Sequence, residues 1–309
     1  MNDNHLKALY TSLDNLIKNE CNQPITVAFS GGIDSTLVAF IANNYCDVEL
    51  IAVGIPGSHD LEAAKSAAKL IGMELKAIEV SENEMVKEGI EMQKVINLNG
   101  METEFMLPFW IAAKNASTSV LMCGQGADEL FGGYARFRKE DSEKNLSKEV
   151  DDLIKRIPHR EKSITDSFNL KLSCPYLNKR IVKSAEMFTV EERIGDIGKV
   201  VLRNIATQFG LPEEIVNRKK KAAQYGSGSQ KAIKKIIKHR IQFEIDFESE
   251  EIAKAIEKAT EPENFGWVET RVDNKQIKAT VKAKNLGSLR EAAEDFMACI
   301  SVAEKMTKE

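Results

Sequence analysis

Residues 27–35 read Val-Ala-Phe-Ser-Gly-Gly-Ile-Asp-Ser, and this stretch decides the fold. Its apolar start predicts a short buried strand that runs into a Ser-Gly-Gly turn, and the apolar residues 36–42 predict a helix directly after the turn. Such a helix leaves its first backbone N–H groups unpaired, with the positive end of the helix dipole behind them. That arrangement favours an anion, and phosphate is the usual one. An ordinary strand–turn–helix connection is the alternative interpretation.

The turn carries several groups that suit a phosphate. Its glycine and polar positions are Ser30, Gly31, Gly32, Asp34, Ser35 and Thr36. The glycines allow the backbone to approach an anion closely, and the hydroxyls add donors. A carboxylate beside a phosphate is repulsive unless a cation lies between them, so Asp34 implies Mg²⁺.

The bulk composition restricts the class of protein. The chain has 309 residues, 43% hydrophobic and 29% charged, which suits one large globular domain or two. A net charge of −4 argues against nucleic-acid binding by overall electrostatic attraction, and we expect no DNA partner. Local basic patches are still compatible with this charge. Five cysteines without a C-x-x-C pair fit a reducing compartment. The polar first residues and the lack of an apolar run of ~20 residues predict a cytoplasmic protein without a membrane partner.

Strands and helices alternate in the first half of the chain. Apolar runs predict strands at 25–29, 48–53, 75–80 and 119–123. Helical spacing predicts helices at 4–18, 36–42, 61–71, 82–96 and 108–116. The alternation predicts an α/β fold with a doubly wound parallel sheet, whose ligands bind at the carboxyl ends of the strands.

A second glycine turn follows the fourth predicted strand. Residues 124–134 read Gly-Gln-Gly-Ala-Asp-Glu-Leu-Phe-Gly-Gly-Tyr. Acidic residues in the first turn of a helix are favourable in themselves, so a capped helix is one interpretation. Because the first turn has its own Asp34, the alternative is that Asp128 supplies the other half of a metal site.

These two turns carry a family resemblance. Ser-Gly-Gly-Ile-Asp-Ser resembles the pyrophosphate loop of the PP-loop ATP pyrophosphatases, which have the adenine nucleotide α-hydrolase-like fold. The second turn is similar to the G-E-G-[SA]-D-E-L-F-G-G-Y motif in the synthetase domain of asparagine synthetases and β-lactam synthetases. Further blocks resemble that family in the same order at residues 57–64, 173–178, 199–203 and 211–220, so that the resemblance covers about 1–235.

The resemblance implies an adenylate-forming reaction, in which an oxygen of the acceptor attacks the α-phosphorus of ATP and a nucleophile then displaces AMP. It implies Asp34, Asp128 and Lys220 as catalytic residues, with Mg²⁺ on the two aspartates. It implies ATP contacts at Ser30, Gly31, Gly32, Asp34, Ser35, Thr36, Val53, Gly54, Gly124, Gln125, Gly126, Lys199 and Arg218. Val53 and Gly54 are expected beside the adenine. A solvated surface position is the other interpretation of Lys220.

The sequence also departs from the family pattern. The glutamate of G-E-G is Gln125 here, and the arginine and aspartate of R-V-P-F-L-D are Ser173 and Asn178. Since no glutaminase segment precedes the first strand, we expect glutamine not to be the nitrogen donor within this chain. The nucleotide positions are kept and the acceptor positions are changed, which predicts an acceptor other than aspartate.

The last part of the chain has a different pattern. Residues 217–240 carry nine Lys or Arg and no acidic residue, and this Arg218–Arg240 basic stretch predicts a polyanion contact with ATP, RNA or both. Period-two alternation and helical spacing then predict the order β-α-β-β-α, an α+β unit. We therefore predict a PP-loop domain at 1–236 and a small domain at 237–309.

The small domain resembles the Pcc subunit of the KEOPS tRNA-modifying complex. Residues 286–292, Leu-Gly-Ser-Leu-Arg-Glu-Ala, carry that resemblance together with residues 296–303. It implies a homodimer through the C-terminal domain and tRNA as a partner; an accessory lid unrelated to RNA is the alternative. Three functions stay open: an enzyme that adenylates an acceptor on or with tRNA, a stand-alone ammonia-dependent amide synthetase, and an ATP-binding tRNA-binding module without catalysis.

Overall fold

The computed structural model describes residues 2–96, 98, 100–133, 142–194, 198–218, 226–229, 239–264, 268–283 and 286–307. The chain divides into two compact units, Met1–Ile233 and Lys234–Glu309. Each unit is described by itself below.

The first unit is built on a parallel sheet of five strands. The strands are β1 (Ile25–Ala28), β2 (Val48–Gly54), β3 (Leu75–Glu79), β4 (Val120–Cys123) and β5 (Lys171–Ser173). Their order in the sheet is β3-β2-β1-β4-β5, and each neighbouring pair is parallel. The most apolar strands, β1 and β4, are central, as burial on both faces requires. This order places the carboxyl end of β1 between those of β2 and β4.

Helices cover both faces of the sheet, as the doubly wound prediction requires. They are α1 (Asp3–Glu20), α2 (Ile33–Ala42), α3 (His59–Leu70), α4 (Glu82–Val95), α5 (Gly100–Lys114), α6 (Ala127–Phe131), α7 (Ser142–Arg156), α8 (Glu161–Ser167), α9 (Lys179–Ala185), α10 (Val190–Ile194), α11 (Val200–Gln208) and α12 (Glu213–Val216). Alternate residues of β2 explain the two layers: Leu50 belongs to the apolar cluster that contains α1, α2 and α3, whereas Ile51 belongs to the cluster that contains α4 and α5. The predicted α/β fold class is confirmed.

Two sequence-based boundaries differ from the structure. The helix predicted to begin at Pro108 begins at Gly100, so that Pro108 lies inside α5. Strand β5 was not predicted, and of its three residues only Ser173 was expected to belong to a motif, the one at 173–178. Both differences arise where packing against the sheet outweighs the local signal, because a proline usually marks a helix start and Lys171 does not suit a buried strand.

The second unit is an antiparallel sheet with two helices on one face. Its elements are β6 (His239–Asp246), α13 (Glu250–Asn264), β7 (Val268–Asp273), β8 (Gln276–Ala283) and α14 (Leu286–Thr307), in the predicted β-α-β-β-α order. The strand order is β6-β8-β7, with both pairs antiparallel. Ile256 of α13 and Phe296 of α14 pack against Ile277 and Val281 of β8 in a separate apolar core.

None of the helices within the described part of the chain combines the length and the apolar character needed to cross a membrane.

Candidate functional site

The turn after β1 is folded by its own hydroxyl groups. The backbone N–H of Ser30 donates to Ser35 Oγ over 3.1 Å, and the two serine Oγ atoms lie 3.2 Å apart. Gly32 is the N-cap of α2, and its N-cap position has no side-chain hydrogen bond. The start of α2 therefore keeps the uncapped N–H groups that the sequence predicted for an anion site.

Gly31 fixes how the turn at residues 30–35, the predicted phosphate loop, packs on α3. Its φ is +68°, and a Cβ at this position would lie 2.5 Å from the carbonyl oxygen of Ala63. Arg218 Nη1 donates to that same carbonyl over 3.1 Å and to the carbonyl of Gly31 over 3.4 Å. Only glycine suits both the backbone angle and the space, and Arg218 ties the loop to the helix.

Two aspartates converge on one lysine at the carboxyl ends of β1 and β4. Lys199 Nζ lies 2.6 Å from both carboxylate oxygens of Asp34 and 2.7 Å from Asp128 Oδ1. The lysine is only 3% exposed, and its backbone is left-handed with φ 58°. The two predicted metal ligands are thus adjacent, and one ammonium group pairs with both.

Neighbouring groups hold this cluster in place. Tyr176, fully buried, donates its hydroxyl to the carbonyl oxygen of Asp34 over 3.0 Å, and burial together with the charge of Asp34 raises the pKa of the phenol. Buried Arg203 donates Nε to the carbonyl of Gly198 over 3.0 Å, beside Lys199. A Cβ at Gly133 would lie 1.9 Å from Asp128 Oδ1, so glycine is needed there.

A short segment, Gly226–Ser229, reaches the end of β2. Ile55 N donates to the carbonyl of Ser227 over 3.1 Å. Ser229 Oγ donates to the carbonyl of Glu104 over 2.6 Å. In a regular helix this carbonyl would accept from the N–H of residue 108, four positions later. Pro108 has no N–H, so the Ser229 hydroxyl takes the place of the missing donor.

These elements enclose one cavity over the β1, β2 and β4 ends. The predicted site residues in its wall are Ser30, Asp34, Ser35, Val53, Gly124, Gln125, Gly126 and Asp128. Phe105 and Phe109 of α5 line an apolar part of it. The structure therefore brings together the two glycine turns that the sequence singled out.

Other predicted residues lie outside the cavity wall. Thr36 is fully buried, and Gly31, Gly32 and Gly54 contribute backbone around the cavity without lining it. Gly54 packs on Ser58, where a Cβ would lie 2.3 Å from Oγ. Lys220 and most of the Arg218–Arg240 basic stretch lie outside the described residues.

The cavity wall also includes Glu161, which no sequence motif indicates. Glu161 lines the cavity and is held by Arg160, whose Nε donates to Oε1 over 2.9 Å. Ser173 instead turns away and donates Oγ to Glu20. No motif signals Glu161, because its partner is its own neighbour and its place depends on how α8 packs.

Two cysteines also meet at the ends of β4 and β5. Cys123 is the last residue of β4, Cys174 directly follows the adjacent strand β5, and their Sγ atoms are 3.5 Å apart. The hydrogen bond from Cys123, followed by burial, raises the pKa of the Cys174 thiol. Only the strand order, which sequence spacing does not reveal, brings them together.

The donor set fits Mg²⁺ in one particular sense. Two carboxylates converge, but the described residues contain no group of three or more His, Cys, Asp or Glu that could form a complete cage. Mg²⁺ commonly binds through one or two carboxylates together with substrate phosphates and water. Asp34 and Asp128 suit that arrangement beside the uncapped start of α2.

The parallel sheet, the glycine turn after its central strand and the paired aspartates define a PP-loop type of synthetase domain. The family model described as Asparagine synthase matches residues 8–165 and 158–261, and the chain belongs to this family. A second model, described as Transcription factor Pcc1, matches residues 240–308. The two matches overlap at 240–261, at the start of the second unit.

Similar proteins come from archaea and plants. "Putative asparagine synthetase [glutamine-hydrolyzing] 1" of Methanocaldococcus jannaschii is 31% identical over 274 residues, which cover 72% of this chain and 50% of that protein. "Asparagine synthetase [glutamine-hydrolyzing] 1" of Arabidopsis thaliana is 28% identical over 238 residues, covering 66% of this chain and 40% of that protein. The chain spans about half the length, or less, of these curated relatives.

Two solved structures are similar at low identity. One is a predicted subunit of tRNA methyltransferase from Methanocaldococcus jannaschii, with 19% identity and a TM-score of 0.33 over 65% of this chain and 94% of that one. The other is NMN synthetase from Francisella tularensis, with 12% identity and a TM-score of 0.39 over 75% of this chain and 85% of that one.

Proposed function

We propose that the first unit binds ATP and Mg²⁺ and transfers the adenylyl group to a carbonyl or carboxylate oxygen, releasing pyrophosphate. The observation that carries this proposal is that Asp34 and Asp128 line one cavity beside the uncapped start of α2 and both pair with Lys199. Catalysis of this kind consists mostly of positioning and charge neutralisation.

Each group has a task in this reaction. The N–H groups of the phosphate loop and its serines bind the leaving pyrophosphate, and Val53 borders the adenine. When bound, Mg²⁺ supplies positive charge to the phosphates, held by Asp34 and Asp128. Lys199 holds the two carboxylates together, and we assign Lys220 to charge stabilisation on the phosphates from the sequence resemblance alone.

The chemistry is tested by following AMP and pyrophosphate release from ATP. We expect Asp128→Asn to lower the rate by about 10²–10³-fold, the usual effect of removing one charge-stabilising group. Asp166→Asn is the matched control, because this carboxylate pairs with Lys162 at the surface. Equal rates in the Asp128 variant and the wild type would contradict the proposal.

We further propose that the acceptor is on, or used together with, tRNA, and that the C-terminal domain at 237–309 binds the tRNA and forms a homodimer. The Pcc1 match and the nine basic residues of 217–240 support it. Replacing Lys231, Lys234, Lys235 and Lys238 with alanine should reduce the salt dependence of tRNA binding by a slope of about 0.9 for each lost phosphate contact. Filter binding at several salt concentrations measures this, and an unchanged slope would count against tRNA.

A stand-alone amide synthetase that uses aspartate and ammonia is the second candidate, favoured by the asparagine synthetase relatives. Release of AMP that is stimulated by aspartate and ammonium without any RNA would select it. The change to Gln125 speaks for the first candidate.

A further inference from the structure

One carboxylate oxygen in the cavity wall is buried without a hydrogen bond. Glu161, the first residue of α8, is 1% exposed and lines the same cavity as Asp34 and Asp128. Within the described chain its Oε2 has no hydrogen-bond partner. A buried carboxyl oxygen without a hydrogen-bond partner is costly, so this atom calls for a ligand.

Arg160 binds one of the two carboxylate oxygens of Glu161. Its Nε and Nη2 both donate to Oε1 of Glu161, over 2.9 Å and 2.5 Å. The guanidinium lies over the ring of Phe105, 5.1 Å from its centroid, and is itself only 5% exposed. Because both donors of Arg160 go to one carboxylate oxygen, the other oxygen, Oε2, is the one that needs a partner.

The local charge selects the kind of ligand. Arg160 Nη1 also lies 3.7 Å from Glu102 Oε1, so one positive charge serves two carboxylates. Glu129 adds another carboxylate to the cavity wall. With Asp34 and Asp128 in the same wall, the cavity is lined by several carboxylates, so a donor that also carries positive charge suits it better than a neutral one. A protonated amine is such a group.

The sheet order gives the ligand a place in the reaction. Under the proposed function, on which this inference rests, the nucleotide occupies the ends of β1 and β2. Gln125 follows β4, and Glu161 lines the same cavity, so we assign this part of the cavity to the acceptor and the nucleophile.

We propose that Glu161 Oε2 binds an amine at the reaction centre and supplies the carboxylate that position 125 lacks. The amine belongs either to the acceptor or to the attacking nucleophile. In the second case the protonated amine first gives one proton to Oε2, which frees the nitrogen lone pair to form the new C–N bond. The carbon–oxygen bond to AMP then breaks with its electron pair on AMP, and the second proton passes from nitrogen to the departing AMP phosphate.

The experiment measures the melting temperature of the whole protein with matched probes. L-aspartate is compared with succinate, which lacks only the amine, and methylammonium chloride with potassium chloride at equal ionic strength. Each pair is run with and without Mg²⁺ and α,β-methylene ATP. At about tenfold excess over Kd, a bound amine should raise Tm by about 2–4 °C above its partner.

Glu161→Gln keeps the shape of the side chain and replaces one carboxylate oxygen with an amide NH2 group. It should therefore abolish the difference in Tm between the two probes of a pair. Glu213→Gln is the control, because Glu213 is also the first residue of a helix but is exposed and outside the cavity. A gain with aspartate places the amine on the acceptor, and a gain with methylammonium places it on the nucleophile.

The proposal is overturned if neither amine stabilises the wild type beyond its partner, or if Glu161→Gln keeps the gain. A nucleotide that fails to raise Tm counts instead against the ATP site, while the pairs without nucleotide still decide the role of Glu161.

Discussion

Lys199 shows how one residue stabilises a site that is otherwise made of like charges. Asp34 and Asp128 are both about 9% exposed, and their carboxylates approach the same ammonium group within 2.7 Å. Two buried carboxylates this close repel strongly unless a cation joins them. Lys199 therefore supplies between these aspartates the positive charge that Mg²⁺ would add under the proposed function.

This predicts a specific effect of Lys199→Met. The variant keeps the length of the side chain and leaves both carboxylates without their cation, so stability should fall by about 3–5 kcal/mol. Urea unfolding is measured with and without Mg²⁺ at about 10 mM. Addition of Mg²⁺ should raise the free energy of unfolding of the variant more than that of the wild type.

Lys114→Met is the matched control, because Lys114 pairs with Glu88 at 2.6 Å with its side chain 46% exposed. An exposed pair contributes at most about 1 kcal/mol. A Lys199 variant that resembles this control in stability and in Mg²⁺ response would contradict the electrostatic role.

The residue scale also shows where sequence reasoning ends. The two aspartates follow recognisable turns, and each turn follows an apolar strand, so their meeting could be predicted. For Lys199 the family resemblance predicted only a contact with the nucleotide. No local sequence pattern indicates that its backbone is left-handed or that Nζ lies between the two carboxylates. Glu161 has no motif at all.

At the scale of elements, Pro108 and Ser229 join α5 to the segment at the end of β2. Ser229→Ala should destabilise the first unit by about 1–3 kcal/mol, since it leaves the buried carbonyl of Glu104 without a donor. Pro108→Ala restores a backbone N–H that can donate to the Glu104 carbonyl. In that background Ser229→Ala should therefore lower the stability by less. A double-mutant cycle from denaturant unfolding measures this coupling.

Ser184→Ala is the control for that cycle, because its hydroxyl donates to the Arg180 carbonyl at an exposed position. Equal costs of Ser229→Ala in the two backgrounds would show that Pro108 and Ser229 act independently.

Glu49 connects elements at the opposite end of the sheet. Its Oε2 accepts from Thr26 Oγ1 over 2.6 Å and from Ser117 N over 2.9 Å. Burial alone would raise the pKa of this carboxyl, but these hydrogen bonds outweigh it and lower the pKa below the ordinary 4.5.

A lowered pKa in the folded state means that Glu49 stabilises the fold above its unfolded pKa and loses this effect as pH falls through the folded value. Glu49→Gln should therefore cost about 1–2 kcal/mol near pH 7. The difference from wild type should shrink below pH 4.5. Chemical unfolding at several pH values checks this, and a difference that is constant with pH would refute it.

Buried strands could be predicted from the sequence more readily than partly exposed ones. Central strands β1 and β4 are short apolar runs bounded by glycine turns, and their existence followed from that pattern. Strand β5 has one exposed, one half-buried and one buried residue, so its sequence carries no such signal. It becomes a strand because β4 offers it an edge for pairing.

At the scale of the whole molecule, the change from continuous apolar strands to alternating ones distinguishes the two units in the sequence. The alternation places one face of each late strand on a core and leaves the other polar, which requires a sheet covered on one side only. The structure has such a sheet, with Phe243 packed on Phe296 at a centroid distance of 5.5 Å and Gln242 and Glu244 exposed.

Separate cores predict separate responses to core mutations. Phe296 is fully buried in the core of the second unit, and Leu13 is 1% exposed in the core of the first. Phe296→Ala should cost about 3–5 kcal/mol and Leu13→Ala about 2–5 kcal/mol, each in its own unit. Calorimetry should therefore show two components, with a different one lowered in each variant. A single transition that shifts by the same amount in both variants would mean that the units unfold as one cooperative structure.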